Sequence, residues 1–224
     1  MIWRKSAASR AVGTVFAGIA AAFALVACTG DGADSDRLPP PSDEWTYYGG
    51  QNSFNRYSPL TQIDRENVAA VQVLWRRPAI DPQLTEEFPD LDFTNYLRGT
   101  PVLVEGTLYA PNAVGLVEAF DPATGETRWI ERPASEEDAG GRSFRGVAYW
   151  HWRGDVTGAA DNRGRVISVR GSYLHALDAE TGKPIASFGD GGRVDLELPA
   201  GGRFGWSSGP IVVGAWTYPV LVDR

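Results

Sequence analysis

From about residue 100 onward, apolar residues fall at the two-residue period of a half-buried β-strand. Val102, Leu103 and Val104 are followed by Leu108 and Tyr109, and Val166, Ile167 and Val169 form a second run. Two related phrases punctuate these runs, AFDPATGETRW at Ala119 to Trp129 and ALDAETGKP at Ala176 to Pro184, with the shared core AxDxxTG. In each copy an alanine and a bulky apolar residue (Ala119 and Phe120, Ala176 and Leu177) take alternate faces of a strand. A tight turn built from Asp, Thr and Gly follows, so each copy is predicted to be the inner hairpin of a β-sheet unit. Gly125 and Gly182 stand 57 residues apart. That is somewhat longer than the ~40 to 50 residues of a four-stranded propeller blade and far from the ~33 to 34 of helical repeats. The pattern predicts an all-β chain, a β-propeller of four-stranded blades.

The first residues break this pattern. Arg4, Lys5 and Arg10 precede an apolar run from Ala11 to Ala27 with no acid, the layout of a secretory signal peptide over residues 1–27. The run is rich in Ala and Gly and short for a membrane-spanning helix, which makes a retained anchor the lesser alternative. It ends in LVAC, which resembles a bacterial lipobox and makes Cys28 the expected lipidation site. Cys28 is the single cysteine, so an intramolecular disulfide and a two-cysteine metal site are both excluded. Thr29 to Ser42 holds one large apolar residue, Leu38, so residues 28–43 read as lipidated cysteine and flexible tether, and residues 44–224 as the folded domain.

Charge narrows the partners. The chain carries a net charge of −7, and loss of the three basic residues ahead of Cys28 leaves 18 basic against 28 acidic residues, a net charge of −10. Nucleic acid is therefore not an expected partner. The arginines beside aromatics in RGVAYWHWRG then read as local site chemistry or blade packing. The 197 residues from Cys28 onward supply roughly four blades.

Six further stretches carry a resemblance. They are WTYYGGQNSFNRYSPLTQIDRENVAAVQVLW from Trp45, TPVLVEGTLYAPN at Thr100 to Asn112, FRGVAYW at Phe144 to Trp150, RVISVRGSYLHALDAETGKP, FGDGGRVDL at Phe188 to Leu196, and SSGPIVVG at Ser207 to Gly214. In this order the chain resembles, from Trp45 to Gly214, the N-terminal blades of the bacterial quinoprotein dehydrogenases, which bind pyrroloquinoline quinone (PQQ). The resemblance implies about four blades of an expected eight, an incomplete ring with two unpaired sheet edges, and hence a truncated chain or one that needs a partner. It makes AFDPATGETRW a tryptophan-docking repeat. Trp129 would stack between blades, Ala119 would pack beneath a neighbouring tryptophan, and Asp121, Thr124 and Gly125 would shape the turn. In the second copy Ala186 stands at the tryptophan position, so that stack should be weaker or rebuilt.

The same resemblance places Arg145, the arginine of RGV, on the cofactor, and Ser207 at a cofactor-contacting hydroxyl position. A guanidinium suits a planar tricarboxylate, because it offers a bidentate fork and stays charged. Trp150 and Trp152 flank His151, and Trp206 precedes Ser207; these tryptophans read as blade packing, and His151 and His175 as structural or surface residues. Three departures stand out. EEDAGGRSF lacks the vicinal cysteines of alcohol-oxidising members, which points to the branch oxidising sugars or polyols. Arg98 falls where the family has a glutamate partnering the arginine. The family's calcium ligands and catalytic aspartate belong to later blades, so neither a catalytic nor a metal residue is expected within this chain, and alone it should be inactive.

The function implied is the N-terminal segment of a lipid-anchored, periplasm-facing dehydrogenase. It would oxidise a sugar, polyol or alcohol with PQQ and calcium and pass electrons to a membrane acceptor, a quinone or a cytochrome. The alternative is a scaffold resembling the outer-membrane protein assembly lipoprotein, another acidic, lipidated propeller with AxDxxTGxxxW repeats, which lacks RYSPLTQI, FRGVAYW and FGDGGRVDL.

Overall fold

The alternating runs fold as two four-stranded antiparallel meanders. In the first, β1 (Val102–Val104), β2 (Thr107–Pro111), β3 (Val117–Phe120) and β4 (Thr127–Ile130) lie in chain order. In the second, β5 (Ala148–Trp150), β6 (Arg165–Arg170), β7 (Tyr173–Asp178) and β8 (Arg193–Asp195) do the same. Beyond them β9 (Phe204–Trp206) pairs with β12 (Leu221–Asp223), and β10 (Ile211–Val213) with β11 (Trp216–Tyr218). The structure, a computed structural model, describes residues 44–50, 54–133, 145–150, 164–196, 204–206, 208–213, 216–218 and 221–223. The leader, Cys28, the tether to residue 43, His151, Trp152 and Ser207 lie outside the described residues.

Period-two patterning accounts for the packing. Val102, Val104, Tyr109, Val117 and Ala119 of the first sheet pack against Val147, Val166, Leu177 and Ala179 of the second. The opposite face of the second sheet, with Ala148, Ile167, Val169, Leu174 and Ala176, packs on Ile185, Trp206 and Val212. Buried on both faces, β6 and β7 carry apolar residues of both parities, as a sheet sandwiched between neighbours must. This is the stacking of blades. A third cluster joins Leu84 and Leu91 to Val114 and Leu116 beneath α1 (Pro82–Glu87). That helix starts at Asp81, whose side chain accepts from Gln83 N, with proline in its first turn.

The AxDxxTG turns form as their residues dictate but join a different pair of strands. Asp121 Oδ1 accepts from Ala123 N (2.8 Å) and Thr124 N (3.1 Å), and Gly125, at φ +73°, donates to Asp121 O (2.9 Å). Asp178 repeats this with Glu180 N, Thr181 N and Gly182, at φ +70°. Each turn follows the third strand of its sheet, so the first copy closes the outer hairpin and not the inner one. The reason is that the first strands of the sheets are the ones that meet, through a parallel bridge between Thr100 and Gly146. In the second copy the outer hairpin is interrupted. After the Leu177–Pro184 bridge the chain turns through Phe188 to Gly192 before β8 pairs with Tyr173 to His175.

Tryptophans lock these turns to the neighbouring element. Trp129 on β4 lies over the turn of the next sheet: its Nε1 donates to Ala179 O (2.9 Å), and a Cβ on Gly182 would run into its ring. Trp75 does the same one step earlier, donating to Pro122 O (3.0 Å), with a Cβ on Gly125 falling 2.6 Å from its ring. The segment around Trp75 thus stands to the first sheet as β4 stands to the second. It belongs to no sheet among the described residues, and its Val73 and Leu74 are 66% and 84% exposed. Ala186 is exposed, and Ile185 beside it takes the buried position instead.

Candidate functional site

The starts of successive inner strands converge at one end of the sheets. Thr100, two residues before β1, donates its N–H to Arg145 O (3.3 Å), three residues before β5. Gly146 sits at φ +150°, and a Cβ there would meet Thr100 O at 3.4 Å and the Tyr48 ring at 3.8 Å. A Cβ on Gly209, just ahead of β10, would fall 2.7 Å from the Gly146 carbonyl carbon. Backbone therefore packs on backbone here, and only glycine allows it. Arg145 is half-buried at this junction. Ser207 lies outside the described residues. Ser208 donates its hydroxyl to Gly209 O (2.9 Å).

Arg56 borders this end, and Arg98 is close to it in sequence. Arg56 lies 5.5 Å over the ring of Tyr48, the residue that faces Gly146. Arg98, two residues before Thr100, stacks at 3.8 Å over Tyr96 and is exposed. Around strand starts, guanidiniums of this kind favour an anion with planar carboxylates.

Buried polar groups behind this end hold the sheets in register. Glu131, just past β4, accepts from Arg170 Nη1 (2.8 Å) on β6 and from Val117 N (2.9 Å). The other terminal nitrogen of Arg170 lies 3.2 Å from Nδ1 of His175, which is buried and structural. Within the first sheet, Glu118 accepts from Asn112 Nδ2 (2.9 Å) and Arg77 Nη2 (2.5 Å). Burial pushes the Glu118 carboxyl above its usual range, more than Asn112 and Arg77 lower it. Trp206 donates to Gly171 O (3.1 Å) and packs against the second sheet, while Trp150 lies beneath the Arg165 guanidinium at 4.7 Å. None of the Trp75, Glu131 and Arg170 contacts was among the sequence expectations. For Trp75 a signal existed, since it precedes Gly125 by 50 residues and Trp129 precedes Gly182 by 53.

At the opposite end of the strands a cavity of about 410 Å³ opens between the sheets, lined by Glu105, Tyr109, Arg128, Trp129, Tyr149 and Glu180 among others. Burial raises the pKa of both phenols. Among the described residues, no group of three or more His, Cys, Asp or Glu could hold a metal ion, and no helix is long and apolar enough to cross a membrane.

Comparison with known proteins gives a consistent picture. The family model for the PQQ glucose/ethanol/alcohol dehydrogenase β-propeller domain matches residues 45–216. Quinoprotein glucose dehydrogenase of Gluconobacter oxydans (strain 621H) is 30% identical over 176 residues, 75% of this chain and 21% of the relative. The dehydrogenase subunit of the quinone alcohol dehydrogenase of Gluconacetobacter polyoxogenes is 31% identical over 185 residues, 78% of this chain and 22% of that one. Among solved structures, quinohemoprotein alcohol dehydrogenase from Comamonas testosteroni aligns with a TM-score of 0.45 at 28% identity, over 63% of this chain and 18% of that one. The chain spans about a fifth of the length of these curated relatives.

Proposed function

The chain belongs to the glucose/ethanol/alcohol dehydrogenase β-propeller family, and from that membership we propose that it forms the N-terminal segment of a dehydrogenase that oxidises a sugar, polyol or alcohol with PQQ. The observation that carries the reading is the convergence of Thr100, Arg145, Gly146 and Gly209 at one end of the inner strands. PQQ is a planar tricarboxylate, and a guanidinium at this end suits it. Arg145 offers one carboxylate a bidentate fork, and Ser207, carried over from the family resemblance, is proposed to offer its hydroxyl to a second oxygen. Gly146 and Gly209 keep side chains out of the junction, so backbone closes the floor between strand starts. When bound, the quinone would supply the acceptor for the two electrons and two protons lost as a carbinol group becomes a carbonyl. This chain's share is to bind and orient it. Calcium is proposed as the second cofactor on the family resemblance alone, and no residue of this chain is assigned to it.

The reading is tested by equilibrium dialysis against PQQ. Arg145→Ala is expected to weaken binding by about thirtyfold or more, the usual cost of deleting one partner of a desolvated charge pair. Arg145→Lys should recover only part of the loss, since an ammonium lacks the fork. Binding by Arg145→Ala within about threefold of wild type would remove the cofactor from this end.

We propose further that Cys28 is lipidated and holds the domain on the periplasmic side of a bacterial membrane, near the quinone or cytochrome that takes the electrons. The basic leader, the apolar run and LVAC support this. Metabolic labelling with a palmitate analogue is expected to mark the wild-type chain and to leave Cys28→Ala unlabelled and released from membranes. Equal labelling of both chains would remove the anchor from the proposal.

A further inference from the structure

We propose that the cavity between the two meanders binds a small organic ammonium ion, held against the rings of Tyr109, Trp129 and Tyr149 with its charge toward Glu105 and Glu180.

The shape of the site comes from the way the sheets stack. Glu105 lies in the turn between β1 and β2, and the cavity of about 410 Å³ opens there between the first and the second sheet. That volume falls within the ~300 to 1,000 Å³ of small-molecule sites. Three aromatic side chains of its lining are contiguous: the Tyr109 ring stands 5.9 Å from that of Trp129 and 5.7 Å from that of Tyr149. They are fixed from behind, because Tyr109 Oη and Trp129 Nε1 both donate to Ala179 O, at 3.2 and 2.9 Å. A Cβ on Gly164 would run into the Tyr149 hydroxyl, so the backbone packs closely on the third ring.

Hydrogen bonding then selects the guest. Donors of the lining are engaged within the protein: Tyr109 and Trp129 on Ala179 O, and Arg128 on Asp121 (3.0 Å) and the Thr107 hydroxyl. Acceptors are left to the guest, since Glu105 and Glu180 are exposed and neither forms an ion pair among the described residues. The local field has the same sign. Burial first, then Tyr109, Glu105, Glu44 and Asp178 raise the pKa of Tyr149, so its ring stays a neutral phenol among acidic groups. A guest with a positive charge and an apolar body answers both features, because cations are drawn to the faces of tryptophan and tyrosine and to nearby carboxylates. An anion would instead meet Glu105 and Glu180, and a neutral guest gains nothing from their charge.

Isothermal titration of the full chain with choline and with 3,3-dimethylbutan-1-ol, its neutral isostere, tests this. Choline is expected to bind about tenfold more tightly than the alcohol, or better. Glu105→Gln combined with Glu180→Gln should cost choline about tenfold and leave the alcohol unchanged, and the fold should tolerate the change at two exposed positions. Tyr149→Phe keeps the ring and should bind choline within about twofold of wild type, whereas Tyr149→Leu should lose about tenfold. Should Tyr149→Leu melt early, the double glutamine variant carries the comparison. Arg128→Gln should tighten choline binding by removing a like charge from the lining, a change that a merely structural role would not produce. Equal affinity for choline and the alcohol would overturn the inference, as would choline binding unaltered in the double glutamine variant. No choline binding at about 10 mM would overturn it as well.

Discussion

Trp129→Ala is expected to lower the unfolding free energy by about 2–3 kcal/mol, below the range for a fully buried tryptophan because the side chain is half-buried. The residue joins two blades. Its ring lies on Gly182, contacts Tyr109 at 5.9 Å between centroids, and shares the Ala179 carbonyl with the Tyr109 hydroxyl, which donates at 3.2 Å. Trp129→Phe keeps part of the ring and loses the N–H, and should cost less than the alanine. Gly182→Ala attacks the same contact from the other side. It puts a methyl group into the indole and strains a backbone held at φ +70°, so it too should destabilise strongly. Urea unfolding followed by circular dichroism measures all three. Trp75→Ala makes the informative contrast: its docking is alike, but its segment belongs to no sheet among the described residues and Leu74 beside it is 84% exposed, so its loss should be smaller. A Trp129→Ala cost below about 1 kcal/mol would mean that the blades do not depend on this dock.

Breaking the buried pair between Glu131 and Arg170 should cost at least as much. Side-chain exposures of 5% for Glu131 and 10% for Arg170 mean that either charge left alone is poorly solvated. Arg170→Ala leaves the carboxylate with Val117 N and removes the donor facing His175 Nδ1, for an expected loss of about 3–5 kcal/mol. Removing both charges is a different perturbation. Glu131→Leu combined with Arg170→Met replaces the pair with apolar volume and should recover most of the loss, since desolvation of two ions offsets much of their attraction. A double-mutant cycle on unfolding free energies reads this directly. Additive losses in the double variant would show that the two side chains act independently.

The turns were legible because their bonds are local. Asp121 and Asp178 reach backbone N–H groups two and three residues on, and Gly125 and Gly182 take the positive φ that closes each turn, all within one AxDxxTG phrase. Period-two runs likewise marked the strands, because one methylene face must meet a neighbour. Which hairpin the phrase closes was not legible. That depends on β1 and β5 meeting through Thr100 and Gly146, a contact across 46 residues that no local pattern encodes. Glu131 and Arg170 were missed for a similar reason: in sequence each reads as an ordinary surface charge, and only sheet stacking buries them together. At the site, Arg145 was named from a motif, but its junction with Thr100, and that of Gly146 with Gly209, is tertiary.

The most direct test of the account is a crystal structure of the protein grown with PQQ. The account predicts the tricarboxylate at the convergence of Thr100, Arg145, Gly146 and Gly209, with one carboxylate bidentate on the Arg145 guanidinium. PQQ seated instead in the cavity of Tyr109, Trp129 and Tyr149, or bound with no contact to Arg145, would contradict it.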